Sequence, residues 1–239
     1  MSGFNEHDIA AYQGKEIEVY VWDASVDQYG DFSTKNQLRG AQNFNTTEER
    51  SETRVSELGY DATKVVYGSA SYSVSITLIV RDLVQIARIS GLEPTSAKRL
   101  IVTEFEPINA VCWFKDPDTG DVNMSKYAGG FKARTSSVPM AVDSNATITI
   151  EGGADLIASF DGKVEVIQCV GDGTTTEFFI PSTDPTSADD VVLVESPAGV
   201  INDLYTFDAT SSITPTYPSV IFTTAPANND VIRIVYKVA

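Results

Sequence analysis

The sequence predicts a mainly β chain in two parts: a larger strand-rich part with one helix over residues 1–160, and a small all-β domain of sandwich type over 161–239. Three observations carry this. Residues 69–80 alternate almost without error, with Ser69, Ser71, Ser73, Ser75 and Thr77 on one side and Ala70, Tyr72, Val74, Ile76, Leu78 and Val80 on the other. Period-two alternation of that length is a strand with one buried and one wetted face. A helical stripe (Leu83, Ile86, Ala87, Ser90) occurs at one place, 81–90, ended by Gly91 with Pro94 beyond it. From Gly152-Gly153 and Asp161-Gly162 onward, short apolar runs alternate with Gly, Pro and Asp breakers and no helical period returns.

Taken in order, residues 1–14 form an arm without pattern. Lys15–Trp22 reads as a strand, with Ile17, Val19 and Val21 on one face. Residues 23–36 are Asp-, Ser- and Gly-rich and read as a loop. Gln37–Thr47 reads as a weakly amphipathic strand. Glu48–Gly59 holds Glu48, Glu49, Glu52 and Glu57 among Arg50 and Arg54. A helix there would stack Glu48 on Glu52 and Arg50 on Arg54, like charge on like, so an extended arm leaving the body is favoured. Strands follow at 99–106, 109–115, 122–135 and 142–151. The C-terminal part reads as strands at 163–170, 176–180, 191–195, 205–208, 220–223 and 231–238. Because these carry their own breakers, the domain is expected to be dispensable to the first part.

The wetted face of 69–80 carries small hydroxyls and no charge. It suits a sheet that must be wet yet smooth; an ordinary exposed antiparallel face would look the same.

Composition excludes several classes. The net charge is −16, with 33 acidic and 17 basic residues. Such a surface does not wrap nucleic acid by neutralising phosphate; a salty habitat and simple solubility both fit it. Residues 1–160 and 161–239 each carry −8, so the shorter part has about twice the charge density. No apolar run approaches the roughly 20 residues of a membrane helix. The polar N-terminus does not read as a secretory signal. Cys112 and Cys169 stand in apolar strands, as free thiols do.

Enzyme chemistry has little footing. His7 is the one histidine, and no HExxH, CxxC, P-loop or GxSxG occurs. Gly171-Asp172-Gly173 lacks a following helix and reads as a turn. Asp116–Asp121 has its glycine one place early for a calcium loop and no Glu at the twelfth position, so a turn is favoured over an ion site. Glu104 and Glu106 share a strand face without a partner group. No catalytic residue, metal or cofactor is assigned.

Two stretches, with the order of the strands around them, carry a resemblance: Leu38-Arg39-Gly40-Ala41-Gln42-Asn43-Phe44 leading into Glu48-Glu49-Arg50, and the Ser-faced strand running into Leu83-Val84-Gln85-Ile86-Ala87. The chain resembles the tail tube proteins of tailed bacteriophages, which share a superfamily with the inner tubes of contractile injection systems. Residues 162–239 are similar to the β domains appended to phage virion proteins, through Gly171–Phe178 and Ile221–Ile232. The resemblance spans the chain by layout and rests on no short diagnostic motif. It implies a β-sandwich or barrel with one flanking helix, hexameric rings that stack, and a conduit for double-stranded DNA in transit. It implies further tail proteins as partners: tape measure, tail terminator and sheath. It gives Glu48, Glu49, Arg50, Glu52, Arg54 and Glu57 the role of a ring-stacking arm. It turns Ser69, Ser71, Ser73, Ser75 and Thr77 toward the lumen. The location implied is the virion tail, assembled in host cytoplasm, with no membrane insertion by this chain. The competing reading is a monomeric virion protein that grips host glycans through Tyr205, Tyr217 and Tyr236.

Overall fold

The computed structural model describes residues 17–22, 35–56, 63–79, 107–137, 147–196, 199–201, 205–210 and 217–239, with backbone alone at 53–56, 63–66 and 135–137. The helix at 81–90, the strand at 99–106, the arm at 1–14 and Glu57 lie outside these residues.

The described chain is mainly β, fifteen strands and one 3-10 turn at Ala188–Asp190. Strands β1 (Ile17–Trp22), β2 (Lys35–Leu38), β5 (Ile108–Lys115), β6 (Val122–Ser137) and β8 (Leu156–Asp161) make an inner sheet in the order β2-β1-β5-β6-β8. Strands β3 (Ala41–Ser56), β4 (Thr63–Ile79) and β7 (Thr147–Ala154) join the far half of β6 in an outer sheet, β6-β7-β4-β3. All pairs are antiparallel.

β6 belongs to both sheets because it bends at Gly129-Gly130. Gly130 has φ +61°, and a Cβ there would fall on Asp155 Oδ2 and 2.7 Å from Arg233 Nη2. Only glycine supplies that backbone without a side chain in the way. The second crossing lies at Arg39-Gly40. The expected single strand 37–47 is two strands, because Gly40 (φ +78°) turns the chain from the inner sheet (β2) into the outer one (β3). Between the sheets lies one core, containing Val19, Val21, Leu38, Phe44, Val74, Ile76, Leu78, Phe131, Ile148 and Ile150.

The arm expected to leave the body in extended form is extended, and it is paired as well. Residues 48–56 continue β3, paired to β4 residue by residue from Glu48↔Tyr72 to Ser56↔Thr63, with a bulge between Arg50 and Glu52. Serine, threonine and arginine with few breakers suit a ladder as well as an arm. β7 ends opposite Tyr72, at Ala154, so among the described residues the hairpin beyond that row pairs with no further strand. β8 was not expected; the glycines beside it read as a break.

The C-terminal strands form two sheets. One is β12 (Gly199–Val200), β11 (Val191–Ser196), β15 (Val231–Lys237) and β9 (Val164–Val170); the other is β10 (Glu177–Phe179), β14 (Ser219–Phe222) and β13 (Tyr205–Asp208). They face each other across Ile167, Phe178, Val194, Val220, Phe222, Ile232 and Ile234.

The two parts share a third core. Trp22, Val111, Trp113 and Tyr127 of the inner sheet pack against Val164, Val166, Leu193 and Val235 of the C-terminal sheet. Asn109 Nδ2 donates to Gln168 Oε1 (2.8 Å), and Trp113 Nε1 donates to the Val164 carbonyl (2.9 Å). Arg233 spans the junction, donating to Glu195 (3.1 Å) and Asp155 (2.9 Å). Burial pushes the Glu195 carboxyl up, and Arg233 pulls it back. Lys35, bonded to Glu165, sits 4.4 Å from the Trp113 ring centre and 4.8 Å from that of Tyr20.

Dispensability of 162–239 is therefore not the expectation from this packing. Removing these residues uncovers Trp22, Val111, Trp113 and Tyr127 together, a patch that drives aggregation. The truncated chain is expected in the pellet or the void volume on size exclusion; a soluble, folded monomer would show the cover to be unnecessary. Arg233→Leu strands the Glu195 carboxylate and should cost about 3–5 kcal/mol in denaturant unfolding. Adding Glu195→Leu should return most of that loss.

Candidate functional site

The candidate site is the outer face of β6-β7-β4-β3. Alternation sets it. Val74, Ile76 and Leu78 point into the core, at 2% exposure or less. Ser69, Ser71 and Ser73 are exposed, and Ser75 and Thr77 are half-buried on the same side. Register extends this face across the sheet. Thr77, Ser75, Ser73 and Ser71 stand opposite Asn43, Asn45, Thr47 and Glu49 of β3. On the other side Thr77, Ser75 and Ser73 oppose Thr149, Glu151 and Gly153 of β7. Thr77 and Thr149 share a hydroxyl–hydroxyl bond of 3.1 Å. The face is thus a floor of hydroxyls and amides wider than the single strand that announced it.

It is not free of charge. Lys132 and Arg134 on β6 are exposed, while Phe131 and Ala133 between and beside them are buried. Their alternation in the stretch Phe131-Lys132-Ala133-Arg134 was the signal; reading 122–135 only as a strand left its outward cations unnoticed. Glu49 and Glu151 bring opposite charge to the same face.

The other expected residues fall on the hairpin. Glu48, Glu49, Arg50 and Glu52 are exposed on β3, and Arg50 donates to Glu48 Oε1 from Nε at 2.9 Å. Arg54 is on β3 by its backbone. Glu48 and Arg50 lie on the side that continues the core face, next to the half-buried Tyr72. Across the bulge Tyr67 is 65% exposed, an aromatic that the charge pattern had hidden.

Elsewhere the chemistry is structural. Asp116 Oδ1 accepts from the backbone N–H groups of Asp118 (2.8 Å) and Thr119 (3.2 Å), which hold its carboxyl below the usual carboxylate range. That is an Asx turn joining β5 to β6. Among the described residues no group of three His, Cys, Asp or Glu gathers to hold a metal, and no helix is long and apolar enough to cross a membrane. Cys112 and Cys169 are buried free thiols, pushed up to about 12 by burial. Of the aromatics of the glycan reading, Tyr236 is buried and Tyr205 packs toward Phe222, both in the C-terminal core. Tyr217 is half-buried and stacks on Phe179.

No family model matches the chain, and no curated protein matches it. Solved structures do. The chain is similar to a protein of the sheath/tube terminator of an extracellular contractile injection system, PVC, at 12% identity and TM-score 0.40, over 67% of this chain and 99% of that one. It is similar to the SPP1 tail tube protein at 10% identity and TM-score 0.44, over 64% and 80%. It is also similar to a protein of the tail of a gene transfer agent particle at 13% identity and TM-score 0.39, over 64% and 100%.

Proposed function

We propose that this chain is a structural subunit of a phage-type tail tube. Copies join edge to edge into hexameric rings, the rings stack, and the hydroxyl face lines a conduit through which double-stranded DNA passes to the host cell. Tape measure, tail terminator and sheath are the further partners, and the location is the virion tail, assembled in host cytoplasm. The chain acts by assembly and has no catalytic role.

The observation that carries this reading is the outer sheet. Among the described residues it is open at both ends: β3 pairs with β4 alone, and β6 from Lys132 onward pairs with β7 alone. β3 is 16 residues long. An open edge of that length templates association, and a protein that stays soluble covers or closes it. Closing several such sheets on one another removes every edge and leaves one face inside. The Ser, Thr and Asn of this face offer phosphate little to hold, since Lys and Arg are what bind it, and Glu49 and Glu151 stand on the same face as its Lys132 and Arg134. The hairpin beyond the end of β7, with Glu48, Glu49, Arg50, Glu52 and Arg54 on β3 and Glu57 following in sequence, then reaches the neighbouring ring.

Negative-stain images of the purified chain decide the main point: rings or filaments are expected, and a monodisperse monomer at high concentration refutes self-assembly. Ser73→Lys and Ser75→Lys should fold, assemble and hinder DNA delivery, because each ring gains a girdle of cations. Val74→Lys should instead unfold the subunit, at a cost of about 4 kcal/mol or more. A Ser73→Lys particle that delivers DNA normally would put the serines on an outer surface. Reversing Arg50 and Arg54 to Glu should leave rings that do not stack; tubes of unchanged length would remove the hairpin from the ring-to-ring contact.

A further inference from the structure

The bulge between Arg50 and Glu52 decides where Tyr67 points. Before it, Tyr72 and Ala70 of β4 stand opposite Glu48 and Arg50, on the side that continues the core face. By alternation alone Gly68 would come next on that side, and Tyr67 would fall among the exposed serines. Register does not follow alternation there. From Arg50↔Ala70 to Glu52↔Tyr67, β3 advances two residues and β4 three. The extra residue exchanges the faces of β4 beyond it. Glu52 keeps the side of Glu48 and Arg50, and Tyr67 opposite it shares that side. The same exchange shows at Gly68, where a Cβ would meet the hydroxyl of Ser51, a residue on the face of Glu49. The hydroxyl face therefore carries no aromatic here. Tyr67 is turned away from it and is 65% exposed; Val200 is the other exposed large hydrophobic among the described residues.

A tyrosine ring standing in water on a projecting hairpin gains by being covered. Identical copies that stack head to tail bring unlike ends together. β3 begins beside Gly40 at one end of the outer sheet and runs into the hairpin at the other. At the Gly40 end Arg39 is exposed. The Arg39-Gly40 turn carries the chain from the inner sheet to the outer one. Arg39 thus lies to the core side of the outer sheet, the side to which the bulge turns Tyr67. A guanidinium over a phenol ring is a favourable contact. In a chain of net charge −16, a cation at one end and an aromatic face at the other let two copies meet without adding like charge. Residues Thr63–Ser71, beyond the β7 row, span roughly 30 Å of extended chain, enough to overlap the end of a neighbouring copy.

We propose that Tyr67 anchors the ring-to-ring contact by laying its ring on the Arg39 guanidinium of a second copy in the next ring. This rests on the tube reading and names both halves of that contact. The arrangement is heterologous: each copy gives Tyr67 at one end and Arg39 at the other, so stacking continues from ring to ring. The bulge has a purpose in it, because it places the anchor against protein and keeps it out of the conduit.

The test uses the full chain, with negative-stain images for rings and tubes and circular dichroism for the fold. Tyr67→Ala and Arg39→Ala should each fold and form rings, with mean tube length cut about tenfold or more, because the contact repeats around every ring. Tyr67→Phe keeps the ring face and should stack as the wild type does. The chain carrying both alanines should be no worse than either single variant, since each removes the same contact. Arg39→Ala and Tyr67→Phe decide the matter even where Tyr67→Ala does not fold. Alanine variants with tubes of wild-type length overturn the pairing. So does a double variant whose loss is the product of the two single losses, or a Tyr67→Phe chain that stays as rings. Folded variants that lose the rings as well remove these residues from the ring-to-ring contact. A wild-type chain that forms no tube overturns the tube reading itself, whereas the pairing alone fails with wild-type tubes intact, and so the two failures are told apart.

Discussion

The inner sheet is apolar on both faces, and the rest of the molecule follows from that. Residues Ile108–Trp113 of β5 are buried without interruption. Ile108, Ala110 and Cys112 meet one core, and Val111 and Trp113 meet another. A sheet of this kind cannot keep either face in water, because each large side chain left exposed forgoes about 1.5–3 kcal/mol. One cover is the outer sheet, reached by bending β6 at Gly130 and turning at Gly40. The other cover is the C-terminal domain. Among the described residues four sheets in a row result, joined by three cores.

That ordering limits where function can reside. The C-terminal domain is fixed by its own burden as a cover, and its ionic seam with Arg233 holds only while every member is present. What remains unspent is the outer face of β6-β7-β4-β3, its two edges, and the hairpin beyond Ala154. These surfaces are polar and extended, and no further strand pairs along their edges among the described residues. They serve a protein whose partner is more sheet better than one whose partner is a small molecule.

Much of this was legible in the sequence, and what was not has physical causes. The strand at 69–80 could be read with its faces because one side is packed and the other wetted, so alternation survives selection for both. In the C-terminal part, β9, β11, β13 and β15 lie within a residue or two of their expected places, since Gly, Pro and Asp breakers delimit them. Strand β1 was visible, but its second buried face was not: Tyr20 and Trp22 tolerate water well enough to pass as surface. Residues 48–56 were legible as extended but not as paired, because charge argues against burial and says nothing about a partner strand; a hairpin needs no core to keep a ladder. The turn at Gly40 was lost because weak amphipathicity on both sides blurred two strands into one. Lys132 and Arg134 were overlooked for a different reason. Their meaning depends on which strand is at the edge, and strand order is a long-range property that no local pattern carries.

In the tube reading proposed above, the acidity of the chain has a role. Copies carrying −16 each repel one another at long range, and that repulsion is cut off beyond about 8 Å at physiological ionic strength. Backbone pairing along an open edge acts only at contact and is nearly indifferent to salt. The two ranges separate encounter from commitment. Diffuse charge keeps 16-residue edges from pairing out of register during folding, in the way charged edges generally blunt aggregation.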